Sequence, residues 1–160
     1  MGKEILREIG KIYRALNSFS DILMKSIDLE KGQYQFLLRI KENPTITQQQ
    51  LSKLLVVDKT TTAKAVKKLI LKGYIAREQN VSDKRNYELT LTKKGKEICV
   101  FLDKEEQYSV RESLQGMNLN THQELLNQLK LISKNTTQLY MNAKGIDREL
   151  IKILIEQEKL

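Results

Sequence analysis

The side chains of this sequence that are best equipped for chemistry are basic and hydroxyl groups crowded into one segment. Twelve Lys and Arg residues but only four acids lie between positions 47 and 96. The rest of the chain has 16 basic and 16 acidic residues, so the whole formal excess of +8 belongs to this segment. Dense positive charge is expected of a surface that binds phosphate groups. A solvated basic face without a partner is the alternative that composition leaves open.

Other kinds of chemistry have little support in the sequence. One cysteine, Cys99, and one histidine, His122, allow no internal disulfide, no cysteine-rich metal site and no cluster of ligands. The basic segment has four scattered acids and no glycine-rich phosphate loop, so we expect neither an enzyme nor a cofactor. Cys99 lies between Ile98 and Val100, and we predict that it is a small buried apolar residue. A redox-sensing thiol is the alternative.

Two short helices inside the basic segment are marked by their caps. Thr47 and Gln50 form the Thr-x-x-Gln pattern of a capping box, which predicts a short helix after Thr47. Asp58 is suited to cap a second helix over residues 59–72, and Gly73 follows where a left-handed residue ends many helices. Two short helices joined by a few residues, the second one basic, are typical of a helix-turn-helix.

A β-hairpin is predicted directly after the helix-turn-helix. Residues 74–77 and 87–91 have the composition of two short strands, and residues 79–86 between them are polar. Together with the two helices, this hairpin indicates a winged helix-turn-helix.

Amphipathic helices flank the winged helix-turn-helix on both sides. Apolar residues recur at helical spacing over residues 5–27, which predicts one long helix, and residues 33–40 predict another. Three further helices are predicted after the hairpin, with starts marked by Thr92, by Asn120 and by Gly145. We therefore expect a mainly α-helical fold with one small β-hairpin. The longest uncharged apolar run has five residues, too few to span a bilayer, so we expect a cytoplasmic protein without a membrane partner.

The second helix of such a module lies in the major groove of double-stranded DNA, where residues near its N-terminus reach base edges. The residues placed for base contacts are Lys59, Thr60, Thr61, Thr62 and Lys64. Threonine has a hydroxyl that donates or accepts and a methyl that touches thymine, and lysine reaches the acceptors of guanine. For the three threonines, a role in starting the helix alone is the alternative.

Contacts to phosphates are expected around these base contacts. The N–H groups at the start of the first helix suit a phosphate, which involves Thr47, Gln48 and Gln49. Lys67 and Lys68 either clamp the DNA backbone or only solvate the helix.

The tip of the wing carries a further predicted contact. Arg85, with Lys84 beside it, is placed to enter an adjacent minor groove, because the negative potential of a narrow groove attracts a guanidinium group. A plain surface ion pair is the alternative for Arg85.

Three stretches occur together in a fixed order. Residues 29–51 lead into the first helix of the helix-turn-helix, and residues 63–74 form the second helix with its glycine stop. Asp83-Lys84-Arg85 then precedes the run from Leu89 to Gly95. In these stretches and in the order of its elements, essentially the whole chain resembles the MarR family of bacterial transcription regulators. Lys64 departs from the resemblance, since the family often has arginine there.

The resemblance implies a homodimer formed by the terminal helices. Residues 1–28 would form an N-terminal dimerisation helix, residues 29–96 the DNA-binding module, and residues 97–160 the C-terminal helices that complete the dimerisation region, in one continuous globular unit. Two recognition helices about one DNA turn apart, roughly 34–36 Å, imply a near-palindromic operator.

Two finer expectations also follow from the resemblance. Asp83 is expected to structure the wing by pairing with a base such as Arg85 or Arg77. A pocket for a small aromatic or anionic effector is expected between the dimerisation helices and the DNA-binding module. Its candidate lining residues are Tyr13, Phe36 and Tyr108.

We therefore expect a sequence-specific double-stranded DNA-binding transcription regulator, a homodimeric repressor that a small effector releases. A transcription activator of the same fold and a redox-responsive regulator using Cys99 are the alternatives within this class. Two alternatives lie outside the class of transcription regulators. One is a nucleic-acid enzyme or RNA-binding protein, and the other is a helical scaffold that uses the winged helix for protein contacts. Salt separates the scaffold from the regulator, because phosphate binding weakens steeply between about 50 and 200 mM salt.

Overall fold

The computed structural model of the protein describes residues 2–30, 32–80, 86–145 and 148–157. Its helices are α1 (Gly2–Met24), the 3-10 helix η1 (Lys25–Ile27), α2 (Gln33–Glu42), α3 (Gln48–Leu55), α4 (Lys59–Leu71), α5 (Lys93–Ser113), α6 (Leu119–Lys144) and α7 (Arg148–Gln157). Its strands are β1 (Ile46–Thr47), β2 (Ile75–Gln79) and β3 (Tyr87–Leu91). The predicted mainly helical fold with a β-hairpin is confirmed, and α3 and α4 are the helix-turn-helix.

The chain divides into two compact units, Met1–Ser113 and Leu114–Leu160. The first unit contains α1 to α5 and the sheet, and the second contains α6 and α7. The boundaries predicted for the DNA-binding module, at residues 28 and 96, both fall inside the first unit. The assignment of separate dimerisation and DNA-binding regions stays a prediction.

The core of the first unit takes a fully buried leucine from each of five elements. Leu37 of α2, Leu51 of α3, Leu69 of α4, Leu89 of β3 and Leu102 of α5 have no exposed surface. Burying one such side chain stabilises the fold by about 1.5–3 kcal/mol. Because these leucines belong to one cluster, the helix-turn-helix and the hairpin rest on a common support formed by α2 and α5.

The caps of the helix-turn-helix lie where the sequence predicts them. The Gln50 N–H donates to Thr47 Oγ1 over 3.2 Å and the Thr47 N–H donates to Gln50 Oε1 over 2.8 Å, which confirms the capping box. Asp58 caps α4 by accepting the N–H of Thr61 at 2.8 Å. Hydrogen bonds from the hydroxyl and the N–H of Thr61 hold the pKa of the Asp58 carboxyl below its usual value. Gly73, with φ of 73°, is the predicted left-handed stop.

The sheet has one strand more than the predicted hairpin. Strands β2 and β3 pair antiparallel, with Arg77 opposite Leu89 and Gln79 opposite Tyr87. Strand β1 pairs with the other edge of β3, which gives the order β1-β3-β2. A strand of two residues has no periodicity of its own, so the sequence does not reveal it. Because β1 ends at Thr47, it ties the start of α3 to the wing.

Helix α5 begins in close contact with the chain that follows α4. The Thr92 N–H donates to the Tyr74 carbonyl over 3.1 Å, and Thr92 Oγ1 accepts the N–H of Gly95 at 3.1 Å, which confirms the predicted cap. A Cβ atom at Gly95 would lie 2.0 Å from the same Tyr74 carbonyl oxygen. Only glycine permits this approach, and the geometry fixes α5 relative to α4 and β2.

Helix α6, in the second unit, begins two residues earlier than predicted. Asn118, and not Asn120, is its cap, because the Asn118 carboxamide oxygen accepts the N–H of Thr121 at 2.8 Å. Helix α6 has no buried residue, and Leu139 is 69% exposed. Helix α1 in the first unit also exposes apolar side chains, namely Ile5, Leu6, Ile12, Tyr13, Leu16 and Ile22.

Across the described ranges, none of the helices combines the length and the apolar character that crossing a membrane requires.

Candidate nucleic-acid interface

Helix α4 presents a buried face and an exposed face. Thr62, Val66 and Leu69 are buried, whereas Lys59, Thr60, Thr61, Lys64, Lys67 and Lys68 are exposed. The prediction that Thr62 contacts bases is wrong, because its side chain has no exposed surface and its hydroxyl donates to the Asp58 carbonyl over 3.0 Å. Thr61 is exposed, and its hydroxyl donates to the Asp58 carboxylate over 2.6 Å. The alternative of a helix-starting role therefore describes Thr61 and Thr62 well.

The lysines of α4 differ in the partners that they have. Lys68 forms an ion pair with Glu30, and Lys72, directly after the helix, lies 3.2 Å from the Asp28 carboxylate and 3.9 Å from Glu30. Lys59, Lys64 and Lys67 have no carboxylate within ion-pair distance among the described residues. Asp28 and Glu30, which precede α2, thus neutralise one side of the helix and leave the other side cationic.

The start of α3 lies beside this cationic side. Thr47 and Gln48 are half-buried and Gln49 is exposed. The first N–H groups of any α-helix have no partner within the helix, and the positive end of the helix dipole favours an anion there. The capping box uses the N–H of Gln50, so those of Gln48 and Gln49 are the ones left for a phosphate.

A cleft of about 600 Å³ lies between α3, α4 and the hairpin, and we call it the wing cleft. Its lining residues are Thr47, Gln48, Gln49, Ala63, Val66, Lys67, Ile70, Leu71, Arg77, Asn86, Tyr87 and Leu89. Four predicted contact residues, Thr47, Gln48, Gln49 and Lys67, are thereby brought together. None of the described residues that line the cleft is an acid, although Asp58, Glu78 and Glu88 are near in sequence.

Two residues of the wing cleft were missed as candidate contacts. Arg77 was considered only as a partner for Asp83, and Tyr87 was considered only as part of a strand. In the structure the Arg77 guanidinium carbon lies 4.2 Å from the centre of the Tyr87 ring. No local signal in the sequence could have found this contact, because it depends on the strand register, which makes the two residues diagonal neighbours on one face of the hairpin.

The predicted tip contacts Lys84 and Arg85 and the wing-structuring residue Asp83 lie outside the described residues. The hairpin is closed just before them, where the Asn80 N–H donates to the Asn86 carbonyl over 2.9 Å.

A second cleft, of about 400 Å³, lies between α1, α2, α3 and α5, and we call it the α1 cleft. It is lined by Tyr13, Leu16, Asn17, Tyr34, Gln35, Leu38, Arg39, Leu54, Leu55 and Glu106. Tyr34 and Gln35 both donate to the Asn17 carboxamide oxygen, over 3.0 and 3.1 Å. Of the three predicted effector residues, Tyr13 lines this cleft. Phe36 does not, because it is buried in the core, and Tyr108 instead stacks on Phe19 with ring centres 5.9 Å apart.

Cys99 is buried in the core of the first unit. Burial raises the pKa of its thiol to about 11. The side chain is therefore protonated at neutral pH, whereas redox sensing requires a reactive thiolate.

The MarR family model matches residues 29–87, from the loop before α2 into β3. The uncharacterised HTH-type transcriptional regulator YybA of Bacillus subtilis is 40% identical over 132 residues, which are 82% of this chain and 88% of that protein. The chain belongs to the MarR family.

Solved structures of MarR proteins agree with this membership. A MarR protein from Peptoclostridium difficile is 41% identical, with a TM-score of 0.80 over 87% of this chain and 91% of that chain. A MarR family transcriptional regulator from Listeria monocytogenes, complexed with a 26mer DNA, is 36% identical, with a TM-score of 0.85 over 89% of this chain and 95% of that chain. The winged helix-turn-helix fold is confirmed, and the chain is a transcriptional regulator and not an enzyme.

Proposed function

We propose that this MarR protein is a homodimeric repressor that binds a near-palindromic operator in double-stranded DNA and leaves it when a small effector binds. The proposal includes a cytoplasmic location, because a repressor has to reach the chromosomal DNA. The observation that carries it is the cationic side of α4. Lys59, Lys64 and Lys67 are exposed and have no carboxylate partner in the described ranges, in a fold shared with a relative whose structure was solved on DNA.

The exposed groups on the cationic side of α4 suit contacts with DNA bases. Thr60 and Lys64 are exposed on the first two turns of α4, which is the part of a recognition helix that reaches base edges. Gln48 and Gln49 at the start of α3 are placed for the flanking phosphate. Thr62 is no longer part of the proposal.

Exposed apolar surface supports a dimer. Helix α6 buries none of its side chains, and α1 exposes six apolar ones. Large apolar patches are seldom left in water and mark interaction sites. A two-fold symmetric dimer would present two copies of α4 to the DNA. Because two-fold symmetry relates these recognition helices, the dimer should prefer a palindromic sequence.

Selection of bound sequences from a random pool of DNA duplexes tests the proposal. We expect a near-palindrome with half-sites one helical turn apart, roughly 10 base pairs from centre to centre. A single half-site would contradict the dimer, and no enrichment at low salt would contradict DNA binding itself. Transcription in vitro from a promoter that carries the selected site should fall when the protein is added. A rise would identify an activator instead.

The α1 cleft supports the effector part of the proposal. Its volume is within the range of small-molecule sites. Arg39 lines the cleft but is paired with Glu42 at 2.9 Å and lies 3.9 Å from Glu106, another lining residue, so an anionic compound has to displace a carboxylate from Arg39. An effector acts only through different affinities for the DNA-bound and free conformations. We therefore expect an aromatic carboxylate that fits, taken from a panel beginning with benzoate, to weaken operator binding. Replacing Tyr13 with Ala should change that response and leave operator affinity without effector nearly unaltered.

A further inference from the structure

The wing cleft contains two cations, one on each of two facing elements. Arg77 on β2 and Lys67 on α4 both line it, and neither has a carboxylate within ion-pair distance among the described residues. The floor of the cleft is apolar, with Val66 and Leu89 buried. Both side chains are exposed, and two cations that line one cleft attract an anion more strongly than either does alone.

The Tyr87 ring holds Arg77 in place without occupying its hydrogen-bonding groups. The guanidinium carbon is 4.2 Å from the ring centre, which is within the range of a cation–π contact. The five N–H donors of arginine are at the edges of the guanidinium plane and suit the oxygens of a phosphate. An arginine held by such a contact also has fewer conformations to lose when it binds.

The strand register explains why these two residues meet. Arg77 is opposite Leu89 and Gln79 is opposite Tyr87, so Arg77 and Tyr87 are diagonal neighbours on one face of the hairpin. Diagonal neighbours lie about 7–8 Å apart and are within reach of aromatic and long side chains. The contact therefore follows from the antiparallel pairing of β2 and β3.

We propose that Arg77 binds a phosphate of the DNA backbone inside the wing cleft, with Lys67 on the opposite wall, and that Tyr87 is the positioning residue of Arg77. The inference rests on the proposed function, since it needs α4 in a major groove. The sugar-phosphate backbone is the boundary between the major groove and the minor groove. A duplex that receives α4 in one groove and the wing in the next must pass its backbone between α4 and the hairpin, where the wing cleft lies.

Fluorescence anisotropy with the selected duplex, titrated between 50 and 200 mM salt, tests the role of Arg77. Arg77→Ala should weaken binding at low salt and reduce the slope of log K against log salt by about 1, with the selected sequence unchanged. Lys104→Ala removes one exposed positive charge from α5, which does not line the wing cleft, and should bind like the original protein. An unchanged slope for Arg77→Ala would overturn the proposal and would point to another anion, or to none, in the cleft.

Tyr87 variants test the positioning role. Tyr87→Phe keeps the ring and should bind like the original protein, whereas Tyr87→Leu should weaken binding in the same direction as Arg77→Ala but less. In the double variant, Tyr87→Leu should add nothing to the effect of Arg77→Ala, because the residue that it positions is gone. Additive losses, or a loss in Tyr87→Phe as large as that in Tyr87→Leu, would overturn the role.

Thermal unfolding of each variant separates loss of binding from loss of fold. If Tyr87→Leu unfolds at the assay temperature, Tyr87→Phe and Arg77→Lys still test the contact between Arg77 and Tyr87. Arg77→Lys keeps the charge and loses the planar stack, so it should keep the salt slope and bind less tightly than the original protein. Arg77→Lys that binds as tightly as the original protein would contradict the stacked arginine. Failure of the unaltered protein to bind any duplex would instead defeat the proposed function.

Discussion

Lys67 and Lys68 are neighbours in the sequence, yet their side chains have different surroundings. Lys67 lines the wing cleft without a carboxylate partner in the described structure, whereas Lys68 forms an ion pair with Glu30. Sequence alone left both as either phosphate contacts or solvated lysines. Helical spacing turns consecutive residues by about 100°, and only the tertiary structure shows which of them then meets an acid.

This difference gives a prediction for operator binding. Lys67→Ala should reduce the salt slope by about 1, as expected for the loss of one phosphate contact. Lys68→Ala should change it less, because Lys68 is already neutralised by Glu30. Binding isotherms of both variants at several salt concentrations make the comparison. Equal losses would show that the ion pair with Glu30 opens on DNA.

Cys99 allows a prediction about pH. Since burial raises the pKa of the folded thiol to about 11, the unfolded chain loses this proton at lower pH than the folded chain does. The contribution of Cys99 to the free energy of unfolding is therefore complete below the unfolded pKa, near 9, and is lost as pH rises towards about 11. Urea unfolding at pH 8 and pH 10.5 should show a smaller fall in stability for Cys99→Ala than for the original protein.

Reaction with iodoacetamide provides an independent check on Cys99. In the folded protein at pH 8 the reaction should be slow, and in urea it should be fast. Rapid labelling of the folded protein would revive the redox-responsive alternative.

Among the elements, α3 depends on a cap that sequence alone identified. Thr47→Ala removes the side-chain acceptor for the Gln50 N–H and should lower the free energy of unfolding by about 1 kcal/mol. Thr47→Ser keeps a hydroxyl and serves as the matched control, with most of the stability retained. Urea denaturation measures both. If Ala and Ser at this position were equally stable, the capping box would have no energetic role.

The junction between α5 and the chain after α4 depends on Gly95. Gly95→Ala would place a methyl group 2.0 Å from the Tyr74 carbonyl oxygen, so α5 must shift or the protein must unfold. We expect a loss of more than about 2 kcal/mol, at the upper part of the range for overpacking. Gly145→Ala, with its nearest neighbouring atom 4.0 Å from the added Cβ, is the matched control and should be nearly neutral. Thermal and urea unfolding of both variants compare the two positions.

The elements that could be predicted from sequence are those whose signals are local. The caps at Thr47, Asp58 and Thr92 involve residues three apart, and the structure has all three. Strand β1 could not be predicted, because its pairing with β3 joins Ile46 to Leu89 across the helix-turn-helix. The start of α6 was misplaced because two asparagines two residues apart are both suitable caps, and local chemistry does not choose between them.

For the whole molecule, exposed apolar residues on α6 lead to a prediction about assembly. Leu139→Glu puts a charge on a helix that buries none of its side chains within one chain. If α6 forms the dimer, the variant should elute as a monomer in size-exclusion chromatography with light scattering and bind the operator at least tenfold more weakly. A reduction of this size reflects the loss of one of two linked half-site contacts.

Gln123→Glu is the matched control for Leu139→Glu. It introduces one charge on the same helix at an exposed position about 160° around from Leu139. We expect this variant to stay dimeric. A Leu139→Glu protein that also stays dimeric would exclude α6 at this position from the interface.

Only some features of the candidate nucleic-acid interface could be predicted from the sequence. Charge counting selected the segment that contains α3, α4 and the hairpin, because net charge is a property of composition. It did not separate Lys67 from Lys72 or find the pairing of Arg77 with Tyr87, because partners distant in sequence decide both. The position of the threonine triplet at the start of α4 wrongly placed Thr62 on the surface, because the sequence does not reveal which of the three threonines faces the core.

The acids before α2 have a consequence for how the protein searches a genome. Five lysines lie on or just after α4, and Asp28 and Glu30 retain two of them within the protein. Each cation that is withheld from phosphates lowers affinity for every sequence alike, while contacts to base edges are untouched. Non-specific chromosomal sites outnumber an operator by about a million or more. A small reduction in non-specific affinity therefore shortens the time that the protein spends at those sites. If the protein binds an operator as proposed, we expect Asp28 and Glu30 to lower total affinity and to increase discrimination.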